Sequence, residues 1–274
     1  MEYVTLSNGV RMPLEGFGVF QVPEAAVCEQ AVRDALSVGY RLIDTAAAYF
    51  NEEAVGAAIR GSGIPREELF ITTKLWIQDA GYESAKKAFE TSMEKLGLDY
   101  LDLYLIHQPM NDYYGAWRAM EELYEAGKIR AIGVCNFYPD RLTDLCLNAR
   151  IAPMVNQVEL HPYWSSRAVR AYDDEHGIVT EAWSPLMRAG EVFQEDLIQK
   201  LAAKYGKSPA QVILRWEVQL GVVPIPKASS SQHQLSNLDI FDFSLTEEEV
   251  TALTDLDKAD GRRPDRDPNQ HQEF

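Results

Sequence analysis

Short, nearly continuous apolar runs recur along this chain and alternate with stretches in which apolar residues return every three or four positions. The runs begin near Gly16, Leu42, Leu69, Leu101, Ile129, Met154, Ile178 and Val222. Leu101-Asp-Leu-Tyr-Leu-Ile and Met154-Val-Asn-Gln-Val-Glu-Leu show the type, which suits strands buried on both faces in a parallel sheet covered by helices. Between the runs, segments 24–38, 82–96, 114–126 and 165–176 carry the helical period. Most run starts lie about 25 to 30 residues apart, the length of one strand–helix unit with its loops. Regular units without a linker predict a closed (β/α)8 barrel, with residues 1–274 as one domain.

Three features lie outside the repeat. Tyr3 and its neighbours, the turn Ser7-Asn8-Gly9 and the run from Arg11 predict an N-terminal β-hairpin, since Asn-Gly tolerates positive φ at both turn positions. The seventh interval has room for two helices, 195–204 and 208–220, the second opened by Ser208 as N-cap and Pro209 at the first helical position. Thr246-Glu-Glu-Glu opens another helix near the C-terminus, so the barrel carries two extra helices. From Gly261 onward no period survives; this tail either lies loosely over one end of the domain or is disordered.

Composition narrows the function classes. With 46% hydrophobic and 25% charged residues the chain is globular. A net charge of -16 repels a phosphate backbone and argues against nucleic-acid binding. A phosphate-bearing ligand would need a few local basic groups or helix N-termini. Cys28, Cys135 and Cys146 form no framework and favour a reducing compartment; Cys28 and Cys146 read as packing residues on helices. No apolar run approaches a membrane span and no signal peptide is apparent, so the expected location is cytoplasmic.

In a closed barrel, chemistry gathers where the C-terminal strand ends converge. Asp44, Lys74, His107, Asn136, Gln157, Trp183 and Lys227 all fall in or just after the apolar runs, and Tyr49 follows Asp44 in its loop. Singly, each has a plainer role as a helix cap, rim lysine or packed aromatic. Together, burial of Asp, Lys, His and Tyr at one mouth is costly without mutual pairing. A phenol beside an ammonium has its pKa lowered, a carboxylate keeps the ammonium charged, and an imidazole can orient a carbonyl. Such a group protonates a developing alkoxide, and the hydride must come from a nicotinamide. A Schiff-base aldolase using Lys74 is the rival, opposed by the pairing with Asp44. A metal is not expected: His107, His161 and His176 are scattered and no HExxH occurs.

Seven ordered segments resemble the aldo-keto reductase family. They are Leu42-Ile-Asp-Thr-Ala-Ala-Ala-Tyr49-Phe-Asn-Glu, Thr73-Lys74-Leu-Trp76, Leu105-Ile-His107-Gln-Pro109, Gly133-Val-Cys-Asn-Phe137, Asn156-Gln157-Val-Glu-Leu-His-Pro162, Trp183-Ser-Pro-Leu186 and Pro224-Ile-Pro-Lys227. The resemblance runs from the hairpin to about Leu256 and favours the small bacterial members that reduce 2,5-diketo-gluconate or methylglyoxal. It implies an NADPH-dependent reductase of the alcohol dehydrogenase (NADP) type, a monomer, acting on small aldehydes and ketones. An NADPH-binding regulatory or redox-sensing barrel is the alternative.

By the same resemblance, Tyr49 is the general acid, Lys74 lowers its pKa, Asp44 pairs with Lys74 and His107 orients the carbonyl. Cys135, Asn136 and Gln157 would meet the nicotinamide carboxamide, and Trp183 would stack on the ring. Ser184, Leu186 and Arg188 would follow the pyrophosphate, Lys227, Ser229 and His233 the 2′-phosphate, and Asn237 the adenine. Gly16-Phe-Gly18 lacks the third glycine of a dinucleotide fingerprint, and His161 reads as structural. Three departures from the family pattern matter. Cys135 replaces a serine and donates more weakly. His233 replaces an arginine, and Ser236 an acidic residue, so NADH is expected to compete better with NADPH. The loop after His107 is short, which predicts an open substrate pocket walled by Phe20, Trp76 and Tyr113.

Overall fold

The computed structural model describes residues 2–228, 230–264, 267 and 268. Two short antiparallel strands open the chain: β1 (Tyr3–Thr5) and β2 (Arg11–Pro13), registered with Tyr3 opposite Pro13. Gly9 takes φ 86° in the turn, as the Asn-Gly pair requires. The Asn8 amide donates to the Arg130 carbonyl at 2.8 Å, and Leu6 and Met12 are buried. The hairpin therefore sits at the end of the barrel where the strand carrying Arg130 begins, opposite the mouth.

Eight parallel strands follow: β3 (Gly16–Gly18), β4 (Leu42–Asp44), β5 (Phe70–Leu75), β6 (Leu101–Ile106), β7 (Ile129–Cys135), β8 (Val155–Glu159), β9 (Val179–Trp183) and β10 (Val223–Pro224). Each pairs with its sequence neighbour, and the circle closes where the Gly18 N–H donates to the Pro226 carbonyl at 3.1 Å. The seam explains Gly16-Phe-Gly18. A Cβ on Gly16 would lie 2.3 Å from Leu42 Cδ2, and one on Gly18 would lie 3.2 Å from the Ile225 carbonyl oxygen. These glycines let neighbouring strands approach closely at the seam. Nearly every residue of β4 to β8 is buried, the consequence of helices on one face and a filled interior on the other.

The helices are α1 (Ala25–Val38), α2 (Glu52–Gly61), α3 (Tyr82–Leu96), α4 (Tyr113–Glu125), α5 (Pro139–Asn148), α6 (Arg167–Glu175), α7 (Asp196–Tyr205), α8 (Pro209–Gln219), α9 (Ser231–Leu238) and α10 (Glu247–Thr254). The two extra helices are α7 and α10. They pack with α8 around Trp216, Ile198, Leu201 and Leu253, a second apolar cluster on the β9 side of the barrel. Capping boxes start α8 at Ser208 with Gln211 and α10 at Thr246 with Glu249, where the sequence places them. Just before the tail, Lys258 N–H donates to the Tyr163 carbonyl at 3.0 Å; of the two fates open to the tail, its described part takes the first, with the Arg263 N–H donating to Glu159 Oε1 at 2.8 Å. Among the described residues no helix is long and apolar enough to cross a membrane.

Candidate active site

Lys74 is the largest charged side chain that is wholly buried. Its Nζ donates to Asp44 Oδ1 at 2.6 Å, to the Thr45 carbonyl at 3.0 Å and to the Tyr49 hydroxyl at 3.3 Å. Three acceptors for three N–H bonds leave the ammonium satisfied, which a charge in a dry interior needs. Asp44 closes β4 and Lys74 comes next to last in β5, so adjacent strand ends set the ion pair.

Tyr49 lies on a short 3-10 turn, Ala47–Tyr49. That turn is held from behind. Thr45 Oγ1 donates to Asn51 Oδ1 at 2.8 Å, and Asn51 Nδ2 donates to the carbonyls of Val19 at 3.0 Å and Val22 at 3.2 Å. Thr73 Oγ1 donates to Glu52 Oε1 at 2.7 Å, tying the start of α2 to β5. His107, just past β6, packs edge-on to Tyr49 at 5.6 Å and to Trp76 at 5.1 Å between ring centroids. Its Nδ1 has no hydrogen-bond partner, so the plainer role of a histidine donating to a carbonyl through that nitrogen is not taken up.

Electrostatics separate these groups. Burial opposes the charge of Lys74, but Asp44 more than restores it and holds the ammonium above its ordinary value. Burial, with Lys74 second, keeps His107 well below the usual imidazole range and therefore neutral. For Tyr49 the balance departs from expectation: burial pushes the phenol up to about 12, and the opposing pull of Lys74 does not compensate. A phenol packed among neighbouring side chains loses more from desolvating its anion than one ammonium at 3.3 Å returns. Tyr49 thus holds its proton at neutral pH.

Lys74 is sealed beneath a cavity of about 650 Å³ at the barrel mouth that Asp44, Tyr49 and His107 border. Phe20, Asp44, Tyr49, Trp76, His107, Asn136, Gln157, Trp183, Ser184, Leu186, Arg188 and Lys227 all line it. Phe20 packs on Tyr49 with centroids 5.0 Å apart. Gln157 Nε2 donates to Asp44 Oδ2 at 3.0 Å and to Glu181 Oε2 at 2.7 Å. Asn136 and Ser184 turn the chain just past β7 and β9 at φ 62° and 57°. Strained backbone of this kind persists where neighbours over-determine it. Trp183 Nε1 donates to Asn136 Oδ1 at 2.8 Å, while Asn136 Nδ2 donates to the His107 carbonyl and to Gln108 Oε1, each at 3.2 Å. Arg188 donates to Gln21 Oε1 at 2.9 Å across the rim.

Other expected site residues lie elsewhere. Tyr113 is not a pocket wall: it is buried, stacked on Tyr114 at 4.5 Å and edge-on to Phe137 at 5.3 Å, because the first turn of α4 faces the core. Cys135 is buried at the end of β7 and does not border the cavity, and its thiol is pushed up by burial. His233 is exposed on the first turn of α9, its N–H donating to Ser230 Oγ at 3.2 Å, and Asn237 is buried on the same helix; neither borders the cavity. Ser229 lies outside the described residues. His161, expected to be structural, is buried with its Nε2 3.1 Å from Glu159 Oε1 and does not border the cavity. Among the described residues no group of three or more acidic, His or Cys side chains is arranged to hold a metal.

Sequence reasoning missed Gln21, Gln108 and Arg263 as cavity residues and Glu181 beneath them. Glu181 had a readable signal, a charged residue two positions before Trp183 on an apolar strand and hence on the same face. The others sit on loops, where no period constrains orientation.

The barrel with a polar mouth is the setting, and comparison with known proteins gives the class. The profile of the aldo/keto reductase family matches residues 18–258, and the chain belongs to that family, whose members use a nicotinamide cofactor. It is 51% identical over 265 residues to the glyoxal reductase of Bacillus subtilis, covering 96% of both chains. It is 47% identical over 269 residues to the methylglyoxal reductase DkgA of Yersinia pestis, covering 97% of this chain and 95% of that one. A crystal structure of the aldo-keto reductase of Bombyx mori in complex with NADP superposes with a TM-score of 0.90 at 35% identity, covering 96% of this chain and 94% of that one.

Proposed function

We propose that the chain reduces small polar aldehydes and ketones, with 2-oxoaldehydes such as methylglyoxal foremost, using NADPH and Tyr49 as the proton donor. The carrying observation is the line from the buried pair Asp44–Lys74 to the half-buried Tyr49, with links of 2.6 and 3.3 Å, opening onto a cavity beside a neutral imidazole. An alkoxide is a stronger base than a phenolate, so a phenol held near 12 still delivers its proton once the carbonyl carbon has taken a hydride. Lys74 then meets the phenolate with a full positive charge that Asp44 preserves. His107 orients the carbonyl oxygen toward Tyr49 from the edge of its ring. The charged state of Lys74 works against the Schiff-base reading, which needs a free amine.

A reduced nicotinamide, when bound, supplies the hydride that no side chain can. The lining fits such a group. Gln157 offers polar contact at the barrel axis and Trp183 a flat ring pinned by Asn136. Arg188 and Lys227 supply positive charge at the rim of a chain whose net charge is -16. Ser230 caps the N-terminus of α9, where a phosphate would find N–H groups, with Ser229 and His233 nearby in sequence. With Tyr113 drawn into the core, Phe20 and Trp76 are the two of the three expected substrate walls that border the cavity.

Nicotinamide absorbance tests this directly. Methylglyoxal is expected to give a kcat/KM at least about tenfold above that of a steroid ketone. The opposite order, or no oxidation with any carbonyl, would refute the substrate class or favour the regulatory barrel. Run with both cofactors, the same assay reads His233. His233→Arg is expected to raise the NADPH over NADH ratio a few-fold, roughly one charge-assisted phosphate contact. A strong NADPH preference that this variant leaves unchanged would defeat that part.

A further inference from the structure

On β9, Glu181 and Trp183 share the strand face that points into the barrel. Trp183 borders the cavity; Glu181 lies one step deeper and is fully buried. Its Oε2 accepts from Gln157 Nε2 at 2.7 Å, and Asp44 Oδ2 accepts from the same nitrogen at 3.0 Å. An amide nitrogen carries two hydrogens, and both are taken here. Two carboxyl groups at one end of an amide decide which end is nitrogen. The carbonyl oxygen of Gln157 is therefore the end left for the cavity that this side chain lines. Asp44 is already committed to Lys74 through Oδ1, whereas Glu181 Oε1 has no hydrogen-bond partner. A buried carboxyl with one oxygen unpartnered costs stability, so its one bond, to Gln157, is what it contributes. Burial, then Asp44, push its pKa up to about 8. Below that pH the proton can sit on Oε1 while Oε2 still accepts.

We infer that Glu181 is a positioning residue: with Asp44 it locks the Gln157 amide so that the cavity meets an acceptor, which selects a cofactor ring bearing an N–H donor. The inference rests on the proposed reading of Gln157 as the partner of the nicotinamide carboxamide. Its specific content is the choice of ring substituent. A carboxamide has the N–H that Gln157 Oε1 can accept, and an acetyl group in the same place has none.

The test compares dissociation constants for NADP and its 3-acetylpyridine analogue, read by quenching of tryptophan fluorescence in the full-length protein. Wild type is expected to prefer NADP by about tenfold, the worth of one satisfied buried hydrogen bond. Glu181→Met, similar in length but without an acceptor, is expected to reduce the preference to about twofold; Glu181→Gln, which keeps an acceptor oxygen, should retain most of it. Full preference in Glu181→Met, or equal weakening of both ligands as a merely structural defect would give, overturns the inference. Gln157→Met separates the two levels. If it keeps the preference, the reading of Gln157 fails; if it loses the preference while Glu181→Met does not, only the role of Glu181 fails. Should Glu181→Met not fold, Glu181→Thr, whose hydroxyl is too short to reach Gln157, takes its place with the same two outcomes.

Discussion

The two sides of the barrel mouth are built differently. On the β4–β6 side, Asp44 and Lys74 are buried, and each has partners that fix it to within one hydrogen bond. On the side of β9 and β10, Lys227 and Arg188 are exposed, and the one bond from Arg188 across the rim runs to Gln21, itself exposed. Burial with pairing makes a residue hard to replace, because removing one member strands another in a medium that cannot hydrate it. An exposed cation keeps its water and acts through long-range charge. In the proposed function, the reacting corner is thus preorganised and the rim serves as an adjustable receptor for phosphate.

Substitutions should expose that asymmetry. Lys74→Met strands Asp44 and is expected to cost about 3–5 kcal/mol of stability, seen in chemical denaturation, and to lower kcat by about a thousandfold. A loss comparable to that of a rim substitution would erase the contrast between the two sides. Lys227→Ala should leave stability unchanged and raise the KM for NADPH about tenfold, one charge-assisted contact, with little change in kcat. A fall in kcat instead would place Lys227 in the chemistry. A smaller effect tests whether burial governs titration away from the mouth as well. Asp173, on α6, accepts from Thr180 and Asn156 and is raised from 3.8 to about 7, by burial first. Its folded state binds the proton more tightly, so its stabilisation is full below pH 3.8 and is lost as pH rises toward 7. Wild type should lose stability relative to Asp173→Asn over that window and run parallel to it above; thermal denaturation against pH checks this, and parallel curves throughout would refute it.

Legibility followed the same divide. Strands announced themselves because burial on both faces leaves unbroken apolar runs, and polar residues near the C-terminal ends of those runs are candidates for the mouth, although some, such as Thr73 and Asn156, turn outward to the helices. Asp44, Lys74, His107, Gln157 and Trp183 were readable for that reason. Tyr113 was not: its loop is short, and nothing in the period of α4 said that the first turn would roll the ring inward against Phe137. The sign of the Tyr49 shift also escaped, since the sequence shows the ammonium but not the depth of burial that outweighs it. Gln21, Gln108 and Arg263 reach the cavity from loops and tail, where orientation depends on contacts far apart in the chain.

The most direct measurement is a single-turnover experiment on wild type and Tyr49→Phe with NADPH and methylglyoxal, followed by nicotinamide absorbance, with cofactor affinity measured in parallel. Affinity is expected to stay within about twofold while nicotinamide oxidation slows by about a thousandfold, as loss of a positioned acid requires. Oxidation at the wild-type rate in Tyr49→Phe would show that the proton comes from elsewhere and that the Asp44–Lys74–Tyr49 line is not the catalytic one.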